Sequence, residues 1–150
     1  MAKVPEAGLT PVQFEILEVA WAVVDRAAAE GGAAEGASVA EIWEAVAKSR
    51  DVGRTTILNL VDRLEKRGWL ARKKVDGVFR YRPTVSRDVA AGGVAAEFVD
   101  AFFSGSASEL VMSLLGSKKI SAAEVAELRA LLNARSQEKT SRDKKGKETR

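Results

Sequence analysis

Six polar side chains crowd one short stretch of this 150-residue chain: Arg54, Thr55, Thr56, Asn59, Arg63 and Lys66. A guanidinium can meet guanine with two parallel hydrogen bonds, a carboxamide can do the same for adenine, and a threonine methyl can touch the thymine methyl. Four more cations follow closely: Lys73, Lys74, Arg80 and Arg82. Cations of this kind neutralise phosphates without reading sequence. Segment 50–82 holds ten basic and four acidic residues, while 1–49 holds three basic and eight acidic, so the net charge of +3 is concentrated rather than spread. A solvated surface would distribute its excess more evenly. A basic block between acidic flanks points to one face meant for a polyanion.

Other chemistry is poorly supplied. There is no cysteine, which removes disulfides, thiolate metal sites and thiol nucleophiles, and no histidine, the commonest proton shuttle and metal ligand. Glu41, Glu44, Glu97 and Asp100 could form carboxylate pairs, but glutamate on a helix is usually solvent surface or a cap. Gly31-Gly32 and Gly92-Gly93 lack the lysine and the strand–loop–helix setting of a phosphate loop. We therefore expect no enzyme, no cofactor and no metal. Residues 1–8 have neither the apolar run nor the cleavage pattern of a secretory signal, and no stretch approaches the ~18 apolar residues of a membrane span. The expected location is the cytoplasm, with no membrane partner.

Presenting those side chains requires a helix followed by an antiparallel hairpin. Ile57, Leu60, Val61 and Leu64 recur at helical spacing over 54–67 and leave the polar six on the other side. Gly68 is placed to end that helix as a left-handed cap. Beyond it the period falls from 3.6 to 2. Residues 70–75 and 78–82 flank Asp76-Gly77, a strong two-residue turn signal, and Pro83 closes the second strand. Phe79 and Tyr81 then share one face, and Arg80 and Arg82 the other.

Two helices are expected ahead of this unit. Residues 11–25 would bury Phe14, Leu17, Trp21 and Val24, and residues 39–48 would bury Ile42, Trp43 and Val46, with a loop over 26–37 between them. Trp21, Trp43 and Trp69 read as core, not as a platform for stacking bases. Three helices and a basic hairpin are the order of a winged helix-turn-helix, whose second motif helix enters the major groove.

Four capping boxes, each Ser or Thr followed three residues later by Glu or Gln, mark helix starts at Thr10, Ser38, Ser106 and Ser121. After Pro83 three apolar helices are expected, over 86–103, 107–115 and 122–134. They would bury too little surface to stand alone, so a second copy should cover them. Phe98, Phe102, Phe103, Leu110, Val111, Leu114, Val125, Leu128 and Leu132 are the candidate dimer core. Residues 135–150 have no hydrophobic side chain and read as a disordered basic tail.

Several short motifs lie in a recognisable order. They are Leu9-Thr10 before Glu15, Ile16, Leu17 and Trp21; Val39-Ala40-Glu41-Ile42; Arg54-Thr55-Thr56-Ile57; Arg63-Leu64 with Gly68-Trp69-Leu70; and Phe79-Arg80-Tyr81. Glu97-Phe98-Val99-Asp100, Gly105 and Glu127-Leu128-Arg129 with Leu131-Leu132 continue the series. Over roughly 9–134 the chain resembles the penicillinase repressor family, BlaI/MecI. The resemblance implies a dimeric repressor whose winged half binds a palindromic operator and whose helical half dimerises. It also implies relief of repression by a regulatory protease that cuts an Asn-Phe bond, and the matching pair here is Glu97-Phe98. The copper-responsive relatives sense metal through carboxyl-terminal cysteines, which this chain lacks.

The expected fold class is mainly α (α+β). A winged-helix DNA-binding domain spans 9–83 with a two-stranded wing, a three-helix dimerisation domain spans 84–134, and a tail follows over 135–150. The expected function is sequence-specific repression by a homodimer on a palindromic operator in double-stranded DNA. Two other readings stay open: a winged-helix regulator that senses a small molecule, and a winged helix used as a protein-interaction module.

Overall fold

The computed structural model describes Pro5, residues 8–33 and residues 35–148. Its elements run α1 (Pro11–Ala29), α2 (Val39–Ala47), α3 (Arg54–Lys66), β1 (Leu70–Val75), β2 (Val78–Pro83), α4 (Arg87–Phe102), α5 (Ala107–Gly116) and α6 (Ala122–Glu148). Two compact units result, Met1–Ala101 and Phe102–Arg150.

Capping starts the helices as the sequence suggests. Thr10 and Ser38 form complete boxes with Gln13 and Glu41, each side chain satisfying the other residue's backbone N–H. Ser106 and Ser121 accept from the N–H of Glu109 and Glu124. The third helix differs: its cap is Gly53, and no side chain bonds to its first turn.

The first unit closes around one core. Ile16, Leu17 and Ala20 of α1, Ile42 and Val46 of α2, and Ile57, Val61 and Leu64 of α3 are all fully buried. Leu70 and Tyr81 add the base of the hairpin, and Trp69 the turn before it. The buried stripe of α1 is centred on Ile16, Leu17 and Ala20, so Phe14 and Val24, expected inside, sit half-covered at its edge. Truncating a fully buried residue such as Leu64 to alanine costs about 2–5 kcal/mol.

Tryptophans tie the connections to this core. Trp21 Nε1 donates to the Val85 carbonyl at 2.9 Å, and Trp43 Nε1 to the Val52 carbonyl at 3.0 Å. The first bond fixes the approach to α4 and the second the approach to α3. Glu15 on α1 accepts from the Ser49 hydroxyl and pairs with Arg50, clamping the α2–α3 turn from the other side. The Ser49 hydrogen bond, and then Arg50, lower the Glu15 pKa below the ordinary carboxylate value.

The wing is a two-stranded antiparallel sheet with Leu70 opposite Pro83, Arg72 opposite Tyr81 and Val75 opposite Val78. Asp76 and Gly77 both have positive φ, 49° and 79°, as the tight hairpin turn requires. A single bridge extends the wing at its base. Ala37 N–H donates to the Tyr81 carbonyl at 2.9 Å, and Tyr81 N–H to the Ala37 carbonyl at 2.8 Å. Gly36 lies so close beneath that a Cβ there would stand 2.5 Å from the Tyr81 oxygen.

Three expectations change. The first helix runs on to Ala29, because Ala27, Ala28 and Ala29 favour helix and nothing breaks it before Glu30. The unit boundary falls at 101/102 rather than at 83/84. Helix α4 belongs to the first unit because Ala90 is fully buried, Arg87 pairs with Glu18 at 3.0 Å, and Glu97 accepts from Gly8 N at 2.9 Å. Residues 135–148 of the expected disordered tail extend α6 in one run to Glu148, and residues 149 and 150 lie outside the described residues. Glu, Lys, Arg and Gln are good helix formers, no proline intervenes, and Gly146 comes only at the end.

The second unit is of another kind. Among its described residues no side chain is buried, although α5 and the first half of α6 are rich in large apolar residues. Met112 is 68% exposed, Leu131 65% and Leu132 67%.

Candidate nucleic-acid interface

Burial of one side of α3 determines what the other side offers. With Ile57, Val61 and Leu64 locked into the core, Arg54, Thr55, Thr56, Asn59, Arg63 and Lys66 are all exposed. Thr55, Asn59, Asp62 and Lys66 run along the middle of the exposed surface, with Arg63 and Thr56 on one shoulder and Arg54 on the other. Lys66 pairs with Asp62 at 2.9 Å, which raises the lysine pKa and orders both side chains. Arg54 and Arg63 make no ion pair among the described residues. The uncapped first turn adds backbone N–H groups, which suit an anion.

Strand alternation divides the cations of the wing. Lys73, Arg80 and Arg82 share one face, whereas Lys74 lies on the opposite face with Arg72 and Phe79. The segment's cations are therefore not gathered on a single side, as its charge count had implied. Adjacent residues of a strand cannot point the same way, so Lys73 and Lys74 must diverge. Arg80 is also held back: its Nη1 lies 3.4 Å from Glu41 Oε1 and 3.3 Å from the Gly36 carbonyl. It acts as a strut between the wing and α2. Lys73 and Arg82 remain exposed and without an ion pair among the described residues.

Arg72, Phe79 and Leu58 were not among the sequence candidates, whereas Lys74 was. Arg72 stacks its guanidinium 4.6 Å from the Phe79 ring centre, Lys74 lies 5.7 Å from the same ring, and Phe79 itself is 42% exposed. Arg72 also reaches Glu65 of α3 at 3.8 Å. This group forms a cationic tip on the wing, and the ring alternation with Tyr81 was the available signal. Leu58, 48% exposed on α3, is the third. It falls off the stripe of Ile57, Val61 and Leu64 and offers an apolar contact of the kind a thymine methyl accepts.

The remaining candidates sit elsewhere. Glu97 and Phe98 lie inside α4, both exposed. Phe102, Val111, Leu128 and Leu132 are exposed, while Phe103, Leu110, Leu114 and Val125 are half-covered. Glu41 and Glu44 line an open groove of about 490 Å³ between α1 and α2, with Val19, Val23 and Ala45 as its apolar floor and Arg26 and Arg80 at its rim. Among the described residues no group of acidic side chains is arranged to hold a metal ion. Among the described residues no single helix is long and apolar enough to cross a membrane.

Residues 9–134 match the family model described as penicillinase repressor. The chain is 31% identical over 97 residues to the methicillin resistance regulatory protein MecI of Mammaliicoccus sciuri, covering 65% of this chain and 79% of that protein. It is 27% identical over 96 residues to the penicillinase repressor of Staphylococcus aureus, covering 64% and 76%. Among solved structures it is similar to Bacillus licheniformis BlaI, described as a monomeric form in complex with the blaP half-operator. That match has 22% identity and a TM-score of 0.40, over 57% of this chain and 89% of the other. The chain belongs to the penicillinase repressor family, whose members are transcriptional repressors and not enzymes.

Proposed function

We propose that this protein represses transcription by binding a palindromic operator in double-stranded DNA as a homodimer. The observation that carries the reading is the exposed side of α3. A helix fixed by three fully buried residues presents arginine, asparagine and threonine outward, with the cationic wing tip tied to it through Arg72 and Glu65. Groove reading needs this combination: side chains that match base edges on a rigid support, and flanking cations for phosphates. Arg54 and Asn59 are the base readers, while Lys73, Lys74, Arg82 and Arg72 hold the backbone.

Two copies are required on physical grounds. One recognition helix covers only a few base pairs, so useful specificity calls for a second, and two-fold symmetry of the protein demands an inverted repeat. The exposed apolar residues of α5 and α6 supply the contact, since exposed patches of this kind mark interaction surfaces. Relief of repression by a protease at Glu97–Phe98 would require α4 to unwind around that bond.

Selection of bound fragments from random duplex DNA tests the reading. The expected result is an inverted repeat whose half-sites lie about one helical turn apart, or a multiple of it, centre to centre. Enrichment of no sequence, or of single unrepeated sites, overturns it.

A further inference from the structure

We infer that the second half of α6 is a DNA-backbone contact, gripping phosphates in the duplex that flanks the operator. This rests on the reading above that the chain binds duplex DNA, but on a separate set of residues outside the segment matched to the family. Leu128 and Leu132 lie on one face of α6, and the same face continues toward the carboxyl end as Arg135, Lys139 and Arg142, spaced by four and three residues. All three cations are exposed, and none has an ion pair among the described residues. An apolar stripe thus passes directly into a cationic one.

Complementing the helix dipole does not account for that stripe. The dipole acts within the last turn of a helix, and Arg135 stands more than three turns before Glu148. Nor does the stripe suit a membrane surface or a protein partner. A helix lying on a bilayer needs an apolar face, and a protein interface needs buried aromatic or aliphatic anchors. Residues 135–148 contain no hydrophobic side chain. Phosphate backbone asks only for charge. Once α3 is seated, flanking phosphates are held near the same molecule at high effective concentration, so weak individual contacts become productive. The helix is about 40 Å long at 1.5 Å per residue, and its second half, about 20 Å, is enough to track several base pairs.

The test uses the full chain and the triple variant Arg135→Gln, Lys139→Gln, Arg142→Gln. The probes are the minimal selected operator, the same operator with about 15 bp of mixed sequence on each side, and a mixed-sequence duplex of that full length; these flanks exceed the roughly 12 bp that a 40 Å helix spans. The parent should bind the flanked operator more tightly than the minimal one. The variant should lose that difference, and its dependence of log affinity on log salt should be shallower by about 2–3 per chain on the flanked and mixed duplexes. Affinity for the minimal operator should not change. Equal salt slopes for parent and variant on the long duplexes overturn the inference while leaving sequence-specific binding intact. Loss of binding by the variant to vesicles containing phosphatidylserine, with equal slopes on DNA, overturns it in favour of a membrane role. Failure to select any operator would count against the function proposed above, and the mixed duplex would still decide this one.

Discussion

Replacing Leu128 and Leu132 together with glutamate should turn the protein into a monomer. The two side chains lie on one face of α6 and are 42% and 67% exposed within a single chain. Burying a whole leucine is worth about 2 kcal/mol, so covering what remains exposed contributes about 2 kcal/mol per chain. A two-fold contact counts every residue twice, giving about 4 kcal/mol per dimer. At 1.4 kcal/mol per factor of ten, that is about a 10³-fold weaker self-association. Four carboxylates brought to one seam then add repulsion and desolvation to the loss. Sedimentation velocity over a dilution series, with circular dichroism to confirm unchanged helix content, measures the effect. Operator affinity should fall in parallel, because each half-site then binds alone. A variant that sediments like its parent across the same dilutions would refute the argument that these leucines form the seam.

Three further outcomes follow from other parts of the molecule. Arg54→Ala with Asn59→Ala should cost about 1–3 kcal/mol of discrimination per lost base contact, whereas Lys73→Ala with Arg82→Ala should weaken all sequences alike and lower the salt slope by about 2; competition binding with operator and scrambled duplex separates the two. Gly36→Ala should lower stability by about 2 kcal/mol or more, since it combines a clash with the Tyr81 carbonyl and a φ of +102°, and thermal unfolding would show it. Glu15→Gln should destabilise the protein at neutral pH. Because the folded pKa of Glu15 is depressed, its contribution is present above the ordinary carboxylate range and fades as pH falls through the folded value. Urea midpoints of parent and variant should therefore converge on acidification; a constant gap would mean that the clamp on Ser49 and Arg50 does not depend on charge.

What could be read in advance divides along a physical line. Patterns generated by burial were legible: Ile57, Val61 and Leu64 announced α3, and Asp76-Gly77 the hairpin, because a core side and a turn each constrain residue type at fixed spacing. The continuation of α6 past Ala134 was not. A helix exposed on all sides imposes no apolar period, so polar residues with high helix propensity look the same as a disordered run. Positions along the wing were readable by alternation, which separates Lys73 from Lys74, yet summing charge over the segment concealed it. The capture of Arg80 by Glu41 joins residues 39 positions apart and left no local trace. Leu58 shows the converse: one leucine off the stripe was visible in the spacing, but only the neighbours on either side identify it as outward.

The bridge between Ala37 and Tyr81 bears on how far the scaffold can vary. It fastens the root of the wing to the entrance of α2, and Arg80 adds a second fastening beside it. The distance from the hairpin tip to the reading helix is thereby fixed by the folded body, independent of the span between Ala29 and Gly36. Residues could be inserted into that span, or removed from it, while the footprint on the duplex kept its length.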